Sequence, residues 1–437
     1  MATADDEAAG DSPVDAVVER LGRPALFKEL GPGLITGAAD DDPSGIATYS
    51  QAGAQFGLNM LWTVVLTFPL MAAVQSISAR IGRVTGQGLA RNLDQVFPRS
   101  MVTGLVGLLF LANTINIGAD LVAMGDAARL IVGGDKHLFT FGFALASLLL
   151  QVFVPYHRYV GLLKWLTMAL FAYVGVVFAV RIDWGEVALR TVLPTAPTSR
   201  EALTMVVALF GTTISPYLFF WQSSEEVEEE EARHAGALID HPDEARRELS
   251  RIRWDTLVGM AFSNLIAFFI MLTTAVTLHA RGVTDIATSA QAAEALRPVA
   301  GELAFALFAV GIVGTGLLAV PVLAGSAGYA IAETRGWKCG LEHKPREAVG
   351  FYAVIAAAVL MGLAVDYVGI DPIHALFWSA VLNGVISVPI MAAMMVVVTR
   401  RSRMGPFVSG PTQKVLGWVA TGVMAAAVVG MAAAAAL

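Results

Sequence analysis

Residues 31–51 read GPGLITGAADDDPSGIATYSQ, an apolar, glycine-rich segment that carries Asp40, Asp41 and Asp42 immediately before Pro43. A charged side chain inside a spanning segment costs roughly 3 kcal/mol even on lenient insertion scales, unless it is hydrated, paired or bound to a cation. Pro43 has no amide hydrogen and restrains Asp42 before it, while Ser44 and Gly45 add turn character. The stretch therefore predicts a helix broken at mid-membrane. Its backbone carbonyls and carboxylates would turn toward a water-filled cavity.

The rest of the chain supplies the membrane setting. Of 437 residues, 56% are hydrophobic and 15% charged, with a mean hydropathy of +0.65; soluble domains carry about 25% charged residues. Apolar runs separated by short charged loops predict an all-α membrane protein of about eleven spans. We place them at 31–57, 60–79, 102–132, 139–155, 161–181, 202–224, 255–278, 302–331, 348–365, 372–398 and 415–436. Residues 1–27 lack the basic-then-apolar order of a signal peptide and read as a cytoplasmic tail. Residues 28–400 are expected to form the membrane core, and 401–437 a cytoplasmic loop and an additional eleventh helix.

Basic residues set the expected orientation. Arg80, Arg83, Arg91 and Arg99, then His157, Arg158 and Lys164, then Arg246, Arg247, Arg251 and Arg253 fall in alternate loops. This places the N-terminus in the cytoplasm and, with eleven spans, the C-terminus outside, in an inner (plasma) membrane. Nothing resembles a nucleic-acid-binding surface, and no obligate protein partner is evident. The lone Cys339 excludes an internal disulfide.

A second interrupted segment occurs at 208–222, ALFGTTISPYLFFWQ. Gly37 leads to Pro43 in the first span, and Gly211 leads to Pro216 in the sixth. Paired interruptions at corresponding positions point to inverted repeats, here about 31–181 and 202–398, with a binding site at the midplane between them.

At these two stretches the chain resembles the NRAMP superfamily of divalent metal transporters, over roughly residues 28–400. The resemblance rests on GPGLITGAADDDPSGIATYSQAGAQFGLNMLW, on ARIGRVTGQGLA after the second span, and on the proline-broken sixth span. It implies a LeuT-like (APC) fold with broken helices 1 and 6. The family's Asp-Pro-Gly-Asn reads here Asp42, Pro43, Ser44, Gly45, and its Met-Pro-His reads Ser215, Pro216, Tyr217. Asp120 matches an acidic residue that carries protons in the family, while Ala123 stands where a nearby glutamate is usual. The substituted pattern looks more like the NRAMP-related magnesium transporters than like the manganese and iron importers.

The residues point the same way. Neither broken stretch contains Met, Cys or His, the ligands that favour softer ions. They offer carboxylate from Asp42 and Asp41, hydroxyls from Thr212, Thr213 and Ser215, and carbonyls near Ala39 and Thr212, with small Gly45 and Ser215 leaving room. Tyr217, Asn383 and Asp120 are candidate cavity or outer-shell groups; Glu225 and Glu226 are candidates for the cytoplasmic mouth. The hydroxyls have a plainer use, satisfying carbonyls freed by Pro216; Asn264 and Asn383 have one as interhelical partners. An all-oxygen site suits Mg2+, which gives up its waters reluctantly.

The expected function is alternating-access transport of divalent cations, Mg2+ first and Mn2+ second, with proton coupling doubtful. The alternatives are a proton-coupled Mn2+/Fe2+ importer and a LeuT-fold carrier of a small organic solute. No nucleophile-and-base arrangement or nucleotide-binding loop marks the chain as an enzyme or a primary pump, and no cofactor is expected.

Overall fold

The computed structural model describes residues 32–154, 166–197 and 199–436. The expected tail, the loop carrying His157, Arg158 and Lys164, and the start of the fifth span lie outside the described residues.

Every regular element among the described residues is helical. The first span is two short helices, α1 (Pro32–Asp40) and α2 (Pro43–Phe56). They are followed by α3 (Trp62–Thr85), the short α4 (Leu89–Asp94), α5 (Arg99–Val132), α6 (Lys136–Phe153), α7 (Phe171–Ala179) and α8 (Trp184–Val192). The sixth span is again a pair, α9 (Arg200–Thr213) and α10 (Pro216–Ala232). The chain continues through α11 (Ala245–Thr277), α12 (Ala304–Arg335), α13 (Val349–Gly362), α14 (Pro372–Thr399) and α15 (Pro411–Ala436).

By length and composition, nine helical stretches among the described residues suffice to cross a membrane, and Met168–Ala179 is a shorter apolar helix. The broken first span brings the arrangement to the expected eleven.

Both interruptions have the same anatomy. Two residues, 41–42 in one and 214–215 in the other, separate a helix end from a helix whose first turn starts with proline. Proline tolerates that position because the first-turn amide would lack an intrahelical acceptor in any case.

The packing is reciprocal between the halves. Helix α11 lies along both α1 and α2, and α3 lies along α10. Helix α5 runs through the centre against α12, α14 and α6, and α9 packs against α14 and α15. Gly211 and Gly384 make the α9–α14 approach possible: a Cβ on Gly384 would stand 2.6 Å from the Val207 carbonyl oxygen. Small residues are used this way throughout α12, where Gly325 seats the ring of Trp221. Helix α15 is peripheral, with only 17% of its apolar window buried, which fits an addition outside the repeated core.

A charged cluster ties one end of the bundle together. Arg83, at the end of α3 and 3% exposed, reaches Glu230 of α10 at 3.0 Å, Glu248 of α11 at 3.6 Å and Glu244 at 3.4 Å. Arg251 of α11 holds the buried Glu226 at 2.6 Å and Glu248 at 3.1 Å. The groups line a cavity of about 250 Å³. Glu226, expected at the cytoplasmic mouth, lines this cavity as one half of a buried ion pair. Glu225 lies 3.3 Å from the hydroxyl of Tyr329, which also bonds Glu228. The acidic run closes this end because the arginines of α3 and α11 face it.

Breaking a buried pair strands its partners, at about 3–5 kcal/mol. Arg83→Met should therefore lower the Tm of the detergent-solubilised protein markedly, and a second change, Glu230→Gln, should recover part of the loss. An unchanged Tm in Arg83→Met would contradict the clustering role.

Candidate metal site

The first break is organised by Asp42. Its carboxylate caps α2, with Oδ1 accepting from the Gly45 amide and the Ser44 hydroxyl, both at 2.7 Å. Such a cap satisfies an amide that the helix start leaves unpaired. The other oxygen, Oδ2, accepts from the side-chain amide of Asn116 on α5 at 3.0 Å and lies 2.9 Å from the same Ser44 hydroxyl. At the opposite end of α1, Asp255 of α11 accepts from the Gly33 amide at 2.7 Å.

Asp40 and Asp41 point elsewhere. Both meet the hydroxyl of Ser263 on α11, Asp40 Oδ2 at 2.6 Å and Asp41 Oδ1 at 3.1 Å. The three carboxylates thus diverge, one toward α5 and two toward α11. Among the described residues no group of three His, Cys, Asp or Glu side chains converges as a metal cage. A cation here would need hydroxyl, amide, carbonyl or water oxygens to complete its shell.

At the second break, most polar groups are already in use. Ser215 donates toward the carbonyls of Gly211 at 2.9 Å and Thr212 at 2.8 Å, and Thr213 donates to Leu209 at 2.8 Å. The Ile214 carbonyl accepts from Ser387 of α14 at 2.8 Å. Ser215 spends its hydroxyl hydrogen on carbonyls beside the break, including the Thr212 carbonyl that Pro216 leaves without an amide, whereas Thr213 makes an ordinary bond back one turn within α9; both oxygens keep their lone pairs. Thr212 differs, because its hydroxyl is buried without a hydrogen-bond partner.

The Ala39 carbonyl accepts from the Tyr217 hydroxyl at 3.2 Å, a bond that joins the two breaks directly and leaves the oxygen a second lone pair. One further expectation changes. Gly45 does not open space, since a Cβ there would meet Thr212 Oγ1 at 3.1 Å, the Asp40 carbonyl at 3.3 Å and the Tyr49 ring at 3.3 Å. The missing side chain is filled by neighbours rather than by a wider cavity.

What remains around the breaks is a set of buried, unpartnered polar atoms. They include Asp40 Oδ1, Asp41 Oδ2, both oxygens of Asp120, Thr212 Oγ1, both amide atoms of Asn383, and the hydroxyls of Thr48, Tyr49 and Ser50 on α2. Asp120 lies within electrostatic reach of Asp42, and Tyr217 within reach of Asp42, Asp40 and Asp120. Leaving such groups unsatisfied is costly, so a set of them around one break marks a place built for a polar occupant. Acceptors dominate the set. Asn264, by contrast, bonds the Val64 carbonyl at 2.9 Å and serves the α3–α11 contact.

The sequence reading missed Asn116, Ser263 and Ser379. Asn116 stands four residues before Asp120, one helical turn away on the same face of an apolar span, which was the available signal. Ser263 and Ser379 carry no such signal; serine is too common in packed helices to stand out. Cys339 is only partly exposed, and burial, then the charge of Glu333, pushes its thiol well above the usual range, which disfavours the thiolate.

Comparison with known proteins places this geometry. The family model described as natural resistance-associated macrophage protein-like (Nramp) matches residues 33–434. The divalent metal cation transporter MntH of Klebsiella pneumoniae (strain 342) is 25% identical over 421 residues, covering 93% of this chain and 94% of that one. A crystal structure of the Eremococcus coleocola manganese transporter superposes with a TM-score of 0.73 at 17% identity, covering 94% of this chain and 88% of that one. MhsT in complex with L-phenylalanine superposes at 0.63 and 10% identity, over 92% and 98% of the two chains. At these identities the structural likeness speaks for the LeuT-like fold alone.

Because Gly45 is enclosed, Gly45→Ala should lower stability by about 1–3 kcal/mol and reduce uptake of every divalent cation tested, without shifting preference among them. A gain in selectivity with unchanged Tm would show that the space is open.

Proposed function

This chain belongs to the Nramp family of divalent metal transporters, and from that premise we propose that it carries Mg2+ as its main substrate and Mn2+ as a second, by alternating access without obligatory proton coupling. The observation that carries the reading is the donor set. Around both breaks the oxygen donors are carboxylate, hydroxyl, amide and carbonyl, and a thioether, that of Met124, lies beside Gly316 of α12 and Pro43. Hard oxygen donors suit Mg2+, and softer ions gain little from such a set.

The unpartnered acceptors fit a hydrated ion. Water bound to a cation presents hydrogens outward, so Asp40 Oδ1, Asp41 Oδ2, the Asp120 oxygens, Thr212 Oγ1 and Asn383 Oδ1 can each receive one. We assign Asp42 as the anchor between α1/α2 and α9/α10, with Thr212 beside it, and with Asp41, whose Oδ1 is held by Ser263, joining Asn383 and Asp120 in the outer shell. Ala39, Ser215 and Thr213 contribute by holding the breaks in shape, and Tyr217 by bridging them. Two charges crossing 100 mV gain roughly 4.6 kcal/mol, so the membrane potential suffices as a driving force. In the orientation that the basic loops favour, the Arg83 cluster would lie on the cytoplasmic side.

A second reading, Mn2+ uptake driven by protons, has one observation in its favour: Asp120 is buried without a partner and faces Asp42. Uptake into proteoliposomes separates the two. We expect Mg2+ and Mn2+ to accumulate under an inside-negative potential, with no change when a pH gradient is imposed and at least a tenfold loss in Asp42→Ala. Selective Mn2+ uptake with co-movement of protons would support the second reading and overturn the first.

A further inference from the structure

Asp42 differs from Asp40 and Asp41 in having both of its oxygens engaged. The donors from Ser44 and Gly45 belong to its own turn and travel with it. Asn116 is the partner that comes from another helix, and it is itself held in place. Its Oδ1 lies 2.6 Å from Ser379 Oγ on α14, a hydroxyl also 2.7 Å from the Leu376 carbonyl. One turn earlier on α5, Asn113 donates to the Leu323 carbonyl of α12 at 2.8 Å. Asn113 and Asn116 are fully buried, and Ser379 nearly so. The amide that touches Asp42 is thus fixed from the α5, α12 and α14 side, not from the α1–α2 break.

A carboxylate at this depth needs a partner at every stage of transport, including the stage without cargo. A bound cation supplies positive charge; when it leaves, something neutral must take over the vacated oxygen. We infer that Asn116 is a positioning residue that holds Asp42 Oδ2 in the empty carrier and yields it when the cation binds. The inference rests on Asp42 being the cation anchor.

Two consequences distinguish this role from that of a structural brace. Asn116 competes with the cation, so removing it tightens cation binding. It also sustains the empty form, which must return across the membrane during net uptake but not during cation-for-cation exchange. Loss of Asn116 therefore slows net uptake more than exchange. A brace would weaken binding and reduce both fluxes in proportion.

The test uses the full-length protein in sealed proteoliposomes, with Mn2+ and Mg2+ as probes in binding titration, net uptake and equilibrium exchange. In Asn116→Ala we expect cation affinity to rise roughly tenfold, the scale of one hydrogen bond to a charged group, and the ratio of net uptake to exchange to fall by a similar factor. Ser379→Ala, which only frees the Asn116 amide, should shift both quantities in the same direction by less. If Asn116→Ala does not fold, the sign of the Ser379→Ala effect decides. Weaker binding with both fluxes falling together, or wild-type transport with neither quantity altered in the variants, overturns this inference alone. A wild-type protein that moves neither ion overturns the transport reading and this one with it.

Discussion

The hydrogen-bonded carboxylate of Asp42 is the constraint on which the rest of the arrangement depends. An acid at mid-bilayer is tolerable only where polar partners can reach it, and an unbroken helix spends its own amides on itself. Breaking the helix at Pro43 frees the Gly45 amide for Oδ1, and the long central helix α5 brings Asn116 to Oδ2. Most neighbouring features follow. The second break at Pro216 supplies Tyr217, whose hydroxyl takes up the Ala39 carbonyl left at the end of α1, while Ser215 and Ser387 satisfy the carbonyls that Pro216 leaves open.

The same economy separates two kinds of polar group. Those that repair a backbone break spend their hydroxyl hydrogens on it, as with Ser215 and Ser387. Those left unbonded, including Thr212, Asn383 and Asp120, are buried and surround the breaks from α9, α14 and α5. Far from the breaks, the carboxylates Glu226, Glu230 and Glu248 are paired with Arg83 and Arg251. Unpartnered buried atoms occur elsewhere too, Glu226 Oε1 and Arg251 Nη1 among them, but the carboxylates Asp40, Asp41 and Asp120 carry theirs with no ion-pair partner beside them among the described residues.

Much of the fold was legible because membrane burial writes strong signals. Long apolar runs located the spans, and glycine followed by proline at residues 37–43 and 211–216 located both interruptions to within a residue. The site was less legible, for a definite reason. Sequence tells which residues bring oxygen near a break but not which hydrogen bonds those oxygens already make, as Ser215, Thr213 and Ala39 do. Gly45 was read as space, whereas Thr212 and Tyr49 occupy it. The pairing of the acidic run was not legible because its arginine partners lie up to 147 residues away in the chain, as Arg83 does from Glu230.

The central claim is that the cation meets Asp42 between the two breaks. Anomalous scattering from crystals grown with Mn2+ tests it most directly. The account predicts a single strong peak against the Asp42 carboxylate, with the Asn116 amide displaced from Oδ2. A peak confined to the Asp40–Asp41–Ser263 corner, or to the Arg83 cluster, with Asp42 still bonded to Asn116, would contradict it.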